Sequence, residues 1–151
     1  MKSFILIFLF SLASSTLFAQ DYSTLEKYPL KSLEDHKNAE EKIKECANYL
    51  FTTPISKDNV NRLYSIQFIL RWMEGTNYTF TVDTKMTDLT DGNTDLFGMY
   101  LAGMAKVVLE SETKVSDEAI HEKVTDMLIV YCKDESNNCK PTKKMKKLMK
   151  G

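Results

Sequence analysis

The stretch VNRLYSIQFILRWM, residues 60–73, decides the fold. In its second half only Gln67 and Arg71 interrupt a run of large apolar residues. Such a run is typical of a helix that is buried on most of its sides. Ser56 is the predicted N-cap of this helix, and Gly75 marks its predicted end. The sequence therefore predicts a central helix against which the other elements pack.

On both sides of this stretch, apolar residues recur at steps of three and four, the spacing of an amphipathic helix. This spacing predicts three more helices, over about residues 34–51, 94–111 and 116–133. Asn93 and Ser116 are the predicted N-caps of the last two helices. Pro141 suits the first turn of a short closing helix over residues 142–150.

Between Gly75 and Gly92 the period changes from a helical one to two. Apolar residues alternate there with polar ones, the pattern of an extended segment with one buried face: Tyr78, Phe80 and Val82 against Thr79, Thr81 and Asp83. No second run of this kind is present to pair with it. We therefore predict an extended crossover, or a small hairpin with residues 85–89, whose three apolar side chains face the core.

These elements predict a single-domain, all-α bundle of four main helices plus a short C-terminal helix, with an extended crossover near residues 78–83. The helical domain spans residues 34–151, and residues 20–33 form an irregular lead-in that docks on it. Five glycines and three prolines are few for an all-β chain. Six residues are predicted to be core: Phe68, Leu70, Trp72, Tyr100, Met104 and Leu128.

The first nineteen residues have the layout of a cleaved secretory signal. Lys2 precedes the apolar run Phe4–Phe10, and small and hydroxyl residues lead to Ala19, the predicted cleavage point. The run is shorter than the roughly 20 residues of a spanning helix, so no stable membrane insertion is expected after cleavage. The predicted destination is the periplasm or the extracellular space. Loss of Lys2 takes the net charge from −1 to −2, which gives no basic footprint for nucleic acid.

Three cysteines are an odd number for an exported chain, in which disulfides are permitted. Cys132 and Cys139 bracket a polar, turn-prone run and form the preferred pair. A loop of that size stabilises the fold by about 2.5 kcal/mol in the chain-entropy model. Cys46 lies at helical spacing among apolar residues and is interpreted as a small buried hydrophobe. Spacing alone leaves its pairing with either of the other two open.

Metal sites are weighed first among the possible chemistries. His121 and Cys132 would lie about 16 Å apart along one helix, too far to share a zinc ion. The acidic cluster around Gly92 would place Thr87 and Leu89 at ligand positions of a calcium loop, so turn and cap chemistry explains it better. The sequence therefore predicts no metal and no cofactor.

Catalytic motifs are the second possibility. The chain has no GxSxG elbow and no glycine-rich phosphate loop. His36 and His121 both stand among charged residues, which is typical of a solvated helix face. No catalytic residue is therefore predicted, although a pair of carboxylates among the twenty-one acids stays open.

Three segments carry a resemblance to small exported bacterial proteins that lack an assigned activity: Asn48–Pro54, Arg71–Thr76 and Tyr78–Phe80. The likeness covers about the middle two-thirds of the chain. It implies a bacterial exported protein and carries over no catalytic or binding residue.

The preferred function is a non-catalytic module that binds a ligand or another exported protein, because long ordered connections often carry binding sites. The alternative is a small periplasmic hydrolase that uses carboxylates. A flat or apolar groove beside residues 76–91 would favour binding, whereas a crevice lined by converging, desolvated acids would favour hydrolysis. The predicted interaction surface comprises the outward-facing polar residues of the connection: Thr79, Thr81, Asp83, Lys85 and Asp88. An extended segment of this kind can also pair its backbone edge with a partner strand, and the alternative is an edge that is hydrated or covered by residues 20–33.

Overall fold

The computed structural model describes residues 22–150, and this part of the chain contains helices and no strand. The predicted all-α bundle is confirmed. Seven α-helices follow one another within residues 22–150: α1 Leu33–Asn38, α2 Glu40–Thr52, α3 Val60–Met73, α4 Thr84–Thr90, α5 Thr94–Glu110, α6 Asp117–Lys133 and α7 Lys143–Leu148. Two 3₁₀ helices lie at Tyr22–Lys27 and Glu135–Asn137. The predicted signal over residues 1–19 lies outside the described residues.

Helix α5 is the centre of the bundle and contacts α2, α3, α4 and α6. Its two glycines lie where neighbouring helices approach closely. A Cβ at Gly98 would be 2.7 Å from Ile66 Cδ1, and one at Gly103 would be 2.9 Å from Val124 Cγ1. Asn93 caps α5 by accepting a hydrogen bond from Leu96 N at 3.1 Å, as predicted from the sequence.

The predicted helix over residues 34–51 is divided in the structure into α1 and α2 at Ala39. A capping box starts α1. Ser32 Oγ accepts from Asp35 N at 3.1 Å, and Asp35 Oδ2 accepts from Ser32 N at 2.9 Å. Ala39 keeps helical angles, and its carbonyl accepts from Ile43 N, so the chain continues into α2 with little change of course.

The predicted N-cap of the next helix is wrong. Helix α3 begins at Val60, and Asn59 rather than Ser56 precedes it. The Asn59 side chain makes no capping bond, because its Oδ1 accepts from Tyr49 Oη at 2.9 Å. Ser56 Oγ lies 3.4 Å from Asp58 N, within the loop before the helix.

The expectation that this helix is buried on most sides is also wrong. The 3₁₀ helix Tyr22–Lys27, α2 and α5 cover one side of α3, and its outer side is open. Leu70, predicted to be core, is therefore 39% exposed. The other five predicted core residues are buried: Phe68, Trp72, Tyr100, Met104 and Leu128.

The connection between α3 and α5 contains the predicted crossover but not the hairpin given as its alternative. Residues 77–83 carry no helix or strand, and α4 then forms where the hairpin alternative placed a strand. Asp83 starts α4 by accepting from Met86 N at 3.1 Å, and the buried Met86 and Leu89 hold α4 on the core. Tyr78 and Val82 are 38% and 56% exposed, so only Phe80 of the predicted apolar face is half-buried.

The cysteines occupy two regions of the domain. Cys132 and Cys139 form a disulfide with a Cα–Cα distance of 4.9 Å, which ties the end of α6 to the segment before α7. Cys46 is fully buried, and burial raises the pKa of its thiol to about 11.

None of the helices within residues 22–150 has the length and hydropathy of a membrane-spanning segment.

Candidate functional site

A groove of about 610 Å³ lies between the crossover and the turn that joins α5 to α6. We name it the crossover groove. Three residues of the crossover form one wall, namely Asn77, Tyr78 and Thr79. The opposite wall combines the end of α5, the turn and the start of α6: Val108, Ser111, Glu112, Thr113, Lys114, Val115, Asp117 and Ile120.

The crossover wall is held in place by Trp72, which is fully buried. The Trp72 ring lies 5.8 Å from the ring of Tyr78 and 5.9 Å from that of Phe80. Its Nε1 donates to the carbonyl of His36 at 2.9 Å, which fixes the indole against α1. One aromatic anchor on α3 therefore sets the position of the extended segment beside the groove.

The opposite wall is built from two helix ends. Ser111 Oγ donates to Val107 O at 2.6 Å and so satisfies a carbonyl in the last turn of α5. Ser116 caps α6 by accepting from Ala119 N at 3.3 Å, as predicted. These local bonds define the short turn that faces the crossover.

The backbone of residues 77–82 is the most open feature of this site. Among residues 22–150, no hydrogen bond joins a backbone N–H or C=O group of this stretch to another residue. Within a helix, by contrast, the carbonyls and amides of the interior turns bond to one another. The crossover therefore presents a row of donors and acceptors of the kind that an unpaired strand edge presents.

Two of the five predicted surface residues lie at the groove. Thr79 is exposed and lines it. Thr81 is also exposed, and its Oγ1 donates to Asp117 Oδ2 at 2.8 Å across the end of the groove. The Thr81 hydroxyl thus links the crossover to the start of α6.

The other three predicted surface residues lie along α4 and do not line the groove. Asp83 caps α4. Lys85 forms an ion pair with Glu118 of α6, which raises the pKa of the lysine. Asp88 lies 3.8 Å from Lys144 of α7. The structure therefore divides the predicted surface between the groove and a set of exposed charge pairs.

No sequence pattern predicts the second wall of the groove. Residues 112–114 have the composition of a linker between two long helices, and nothing in that linker indicates which segment it faces. Val115 and Ile120 belong to the same wall and supply apolar surface beside hydroxyl groups. The opposition of the two walls depends on tertiary packing, which a local pattern does not encode.

The prediction that His36 lies on a solvated helix face is wrong, because His36 is only 6% exposed. Its Nδ1 lies 2.8 Å from Ser32 O, and its ring packs against Gly75, where a Cβ would be 2.3 Å from Nε2. Charged neighbours in the sequence are therefore not sufficient to place a residue on the solvated face of a helix. His36 is a packed structural residue.

His121 is half-buried rather than solvated, and its Nδ1 lies 2.6 Å from Tyr100 Oη. Burial raises the pKa of Tyr100 to about 12, with a smaller contribution from Asp83. Burial, and secondarily Lys85, lowers the pKa of His121. A neutral tyrosine that donates to a neutral imidazole fits both shifts, and neither residue lines the crossover groove.

This pair predicts a pH dependence of stability. Because the folded pKa of His121 lies below its unfolded value of 6.5, the unfolded chain takes up the proton first. The contribution of His121 is therefore fully present above pH 6.5 and is lost as the pH falls towards the folded pKa. We expect urea midpoints to fall over this range in the parent and to fall less in His121→Gln. If the urea midpoint fell equally with pH in the two proteins, His121 would not be the source of this pH dependence.

No group of three or more His, Cys, Asp or Glu side chains within residues 22–150 is arranged to hold a metal ion. Comparison with protein-family models gives no match, and neither do the comparisons with curated proteins and with solved structures. Function is therefore inferred from the crossover groove and from the chain's own residues.

Proposed function

We propose that this chain is an exported, non-catalytic module that binds an extended segment of another exported protein along the crossover. The signal over residues 1–19, cut after Ala19, would deliver it to the periplasm or the extracellular space. One observation carries the proposal: residues 77–82 run beside a groove with a backbone that bonds to no other residue of 22–150. A peptide strand that pairs with such an edge gains main-chain hydrogen bonds without further folding of the domain.

The lining of the groove supports an extended peptide rather than a flat protein surface. The groove is lined both by hydroxyl and amide groups, from Asn77, Thr79 and Thr113, and by the apolar side chains of Val108 and Val115. Side chains of a paired strand point alternately to opposite sides, so every second one would enter the groove. We therefore propose that small apolar and hydroxyl side chains occupy it.

The hydrolase alternative receives less support. Hydrolysis by a carboxylate pair needs two acids in a shared crevice with different environments. The acids that line the crossover groove are Glu112 and Asp117, and Asp117 Oδ2 already accepts from Thr81 Oγ1. This bond favours a structural role for Asp117 at the end of the groove.

The test begins with capture of a partner from the exported fraction and then compares two substitutions at one position. Thr81→Pro removes a backbone donor of the crossover and the hydroxyl, whereas the control Thr81→Val removes only the hydroxyl. We expect Thr81→Pro to weaken binding of that partner by about tenfold, as for the loss of one hydrogen bond in an interface. Thr81→Val should bind close to the parent.

Thermal unfolding shows whether each variant is folded before binding is measured. Equal affinities of the folded Thr81→Pro and Thr81→Val proteins would refute pairing at this edge. A Thr79→Pro variant repeats the test at a position that lines the groove and makes no side-chain hydrogen bond with the described residues.

A further inference from the structure

The outer face of α3 carries a regular row of exposed residues that the bundle does not cover. Val60 is 57% exposed, Leu63 55% and Leu70 39%, and Gln67 between them is also exposed. These four residues, named here the α3 seam, follow one another at steps of three, four and three. That spacing is the seam of a two-stranded coiled coil, in which each side chain packs against a second helix.

A hollow of about 320 Å³ lies beside the α3 seam. Four of its lining residues stand at positions i, i+3, i+4 and i+7 of α3, the arrangement that receives a side chain in knobs-into-holes packing: Tyr64, Gln67, Phe68 and Arg71. Leu25 and Glu26 of the 3₁₀ helix add an outer wall. Arg71 Nη1 donates to both of their carbonyls at 3.0 Å and so holds that wall in place.

We propose that the α3 seam binds a second copy of this chain, with the two α3 helices antiparallel across a two-fold axis. The row of seam residues is symmetric about its midpoint between Leu63 and Gln67. In an antiparallel pair, Leu63 of each copy therefore enters the hollow of the other copy, and Val60 lies opposite Leu70. An interface that uses the same patch on both subunits closes as a dimer.

The charges at the two ends of α3 support this orientation and this occupant. Lys57 precedes the N-terminus of α3, Glu74 follows its C-terminus, and both are exposed. Antiparallel helices place Lys57 of one copy beside Glu74 of the second copy, twice in each dimer. Parallel helices would instead place like charges together, which is unfavourable.

Measurement of the sedimentation of the exported, purified protein over a concentration series tests the proposal. We expect a monomer–dimer equilibrium whose dissociation constant rises at least about tenfold in Leu63→Glu, because a carboxylate would replace an apolar side chain against a mostly apolar surface. Val130→Glu is the control, since Val130 is 71% exposed on α6, away from the seam. It should dimerise like the parent, and thermal unfolding confirms that each variant is folded.

A charge exchange identifies the orientation of the helices. Lys57→Glu and Glu74→Lys should each weaken the dimer, and the double variant should restore it, because the pair forms between copies. A protein that remains a monomer at millimolar concentration overturns the proposal. This holds whether the seam is then covered by residues 1–21, whose presence a mass measurement shows, or by a different protein. A dimer that Leu63→Glu leaves intact overturns it as well. Neither result bears on the crossover groove, which lies on other residues.

Discussion

Replacement of Trp72 by alanine is expected to lower the free energy of unfolding by about 3–5 kcal/mol. The Trp72 ring is fully buried, so its removal leaves a large cavity on α3. The substitution also removes the Nε1 donor to the His36 carbonyl and the ring contacts with Tyr78 and Phe80. Urea unfolding at neutral pH, with the midpoint and slope both fitted, measures the loss.

Trp72→Phe is the matched control for this prediction. It keeps most of the apolar volume and loses the hydrogen bond to His36, so a smaller loss of about 1–3 kcal/mol is expected. The crossover should then stay attached to α3 through the remaining aromatic contacts. If Trp72→Ala lost less than about 1 kcal/mol, the place of Trp72 at the centre of this region would be wrong.

Replacement of Arg62 by alanine is expected to cost about 3 kcal/mol. Arg62 is 5% exposed, and its Nη1 donates to Leu50 O at 2.9 Å and Thr53 O at 2.8 Å, at the C-terminal end of α2. The guanidinium thus satisfies carbonyls that have no partner within α2, where a positive charge is also favourable. The same unfolding measurement gives the loss.

Arg62→Met separates packing from hydrogen bonding. It retains the buried stem and removes the donors, and it also removes Nη2, which is buried without a partner in the described residues. The expected loss is therefore smaller, about 1–2 kcal/mol. Equal losses in the alanine and methionine variants would show that the stem contributes no packing energy.

The sequence is sufficient for the features of this fold that local chemistry determines. The N-caps Asn93 and Ser116 follow from side chains that accept hydrogen bonds from amides three residues ahead. The packing role of the two glycines in α5 follows from the cost of glycine within a helix. The disulfide partners Cys132 and Cys139 are separated by a turn-prone run, so their closeness also has a local cause.

Features that depend on what packs against them could not be obtained in this way. The apolar run of α3 predicts burial on most sides, yet the fold covers only part of it and leaves Leu63 and Leu70 exposed. His36 has charged neighbours in the sequence, yet its ring packs against Gly75, just after α3, and its carbonyl accepts from Trp72 of α3. The second wall of the crossover groove is likewise set by tertiary packing.

The crossover combines a feature that the sequence predicts with one that it does not. Its period of two correctly predicts an extended stretch between helices, but not the burial of all three apolar side chains, because the stretch packs on Trp72 through the rings of Tyr78 and Phe80. Val82 is consequently exposed. The sequence pattern does not predict helix α4, because Thr84–Thr90 contains three threonines, which are weak helix formers. The Asp83 cap and the buried side chains of Met86 and Leu89 stabilise this helix.

Hydrogen–deuterium exchange of the amides of residues 78–82 reports on the open backbone edge in the free protein and again in the complex. We expect fast exchange of these amides in the free protein, while amides of α3 and α5 are protected. Addition of the captured partner should slow their exchange. If these amides are as protected as those of the helices in the free protein, or still exchange fast in the complex, the proposed edge pairing is wrong.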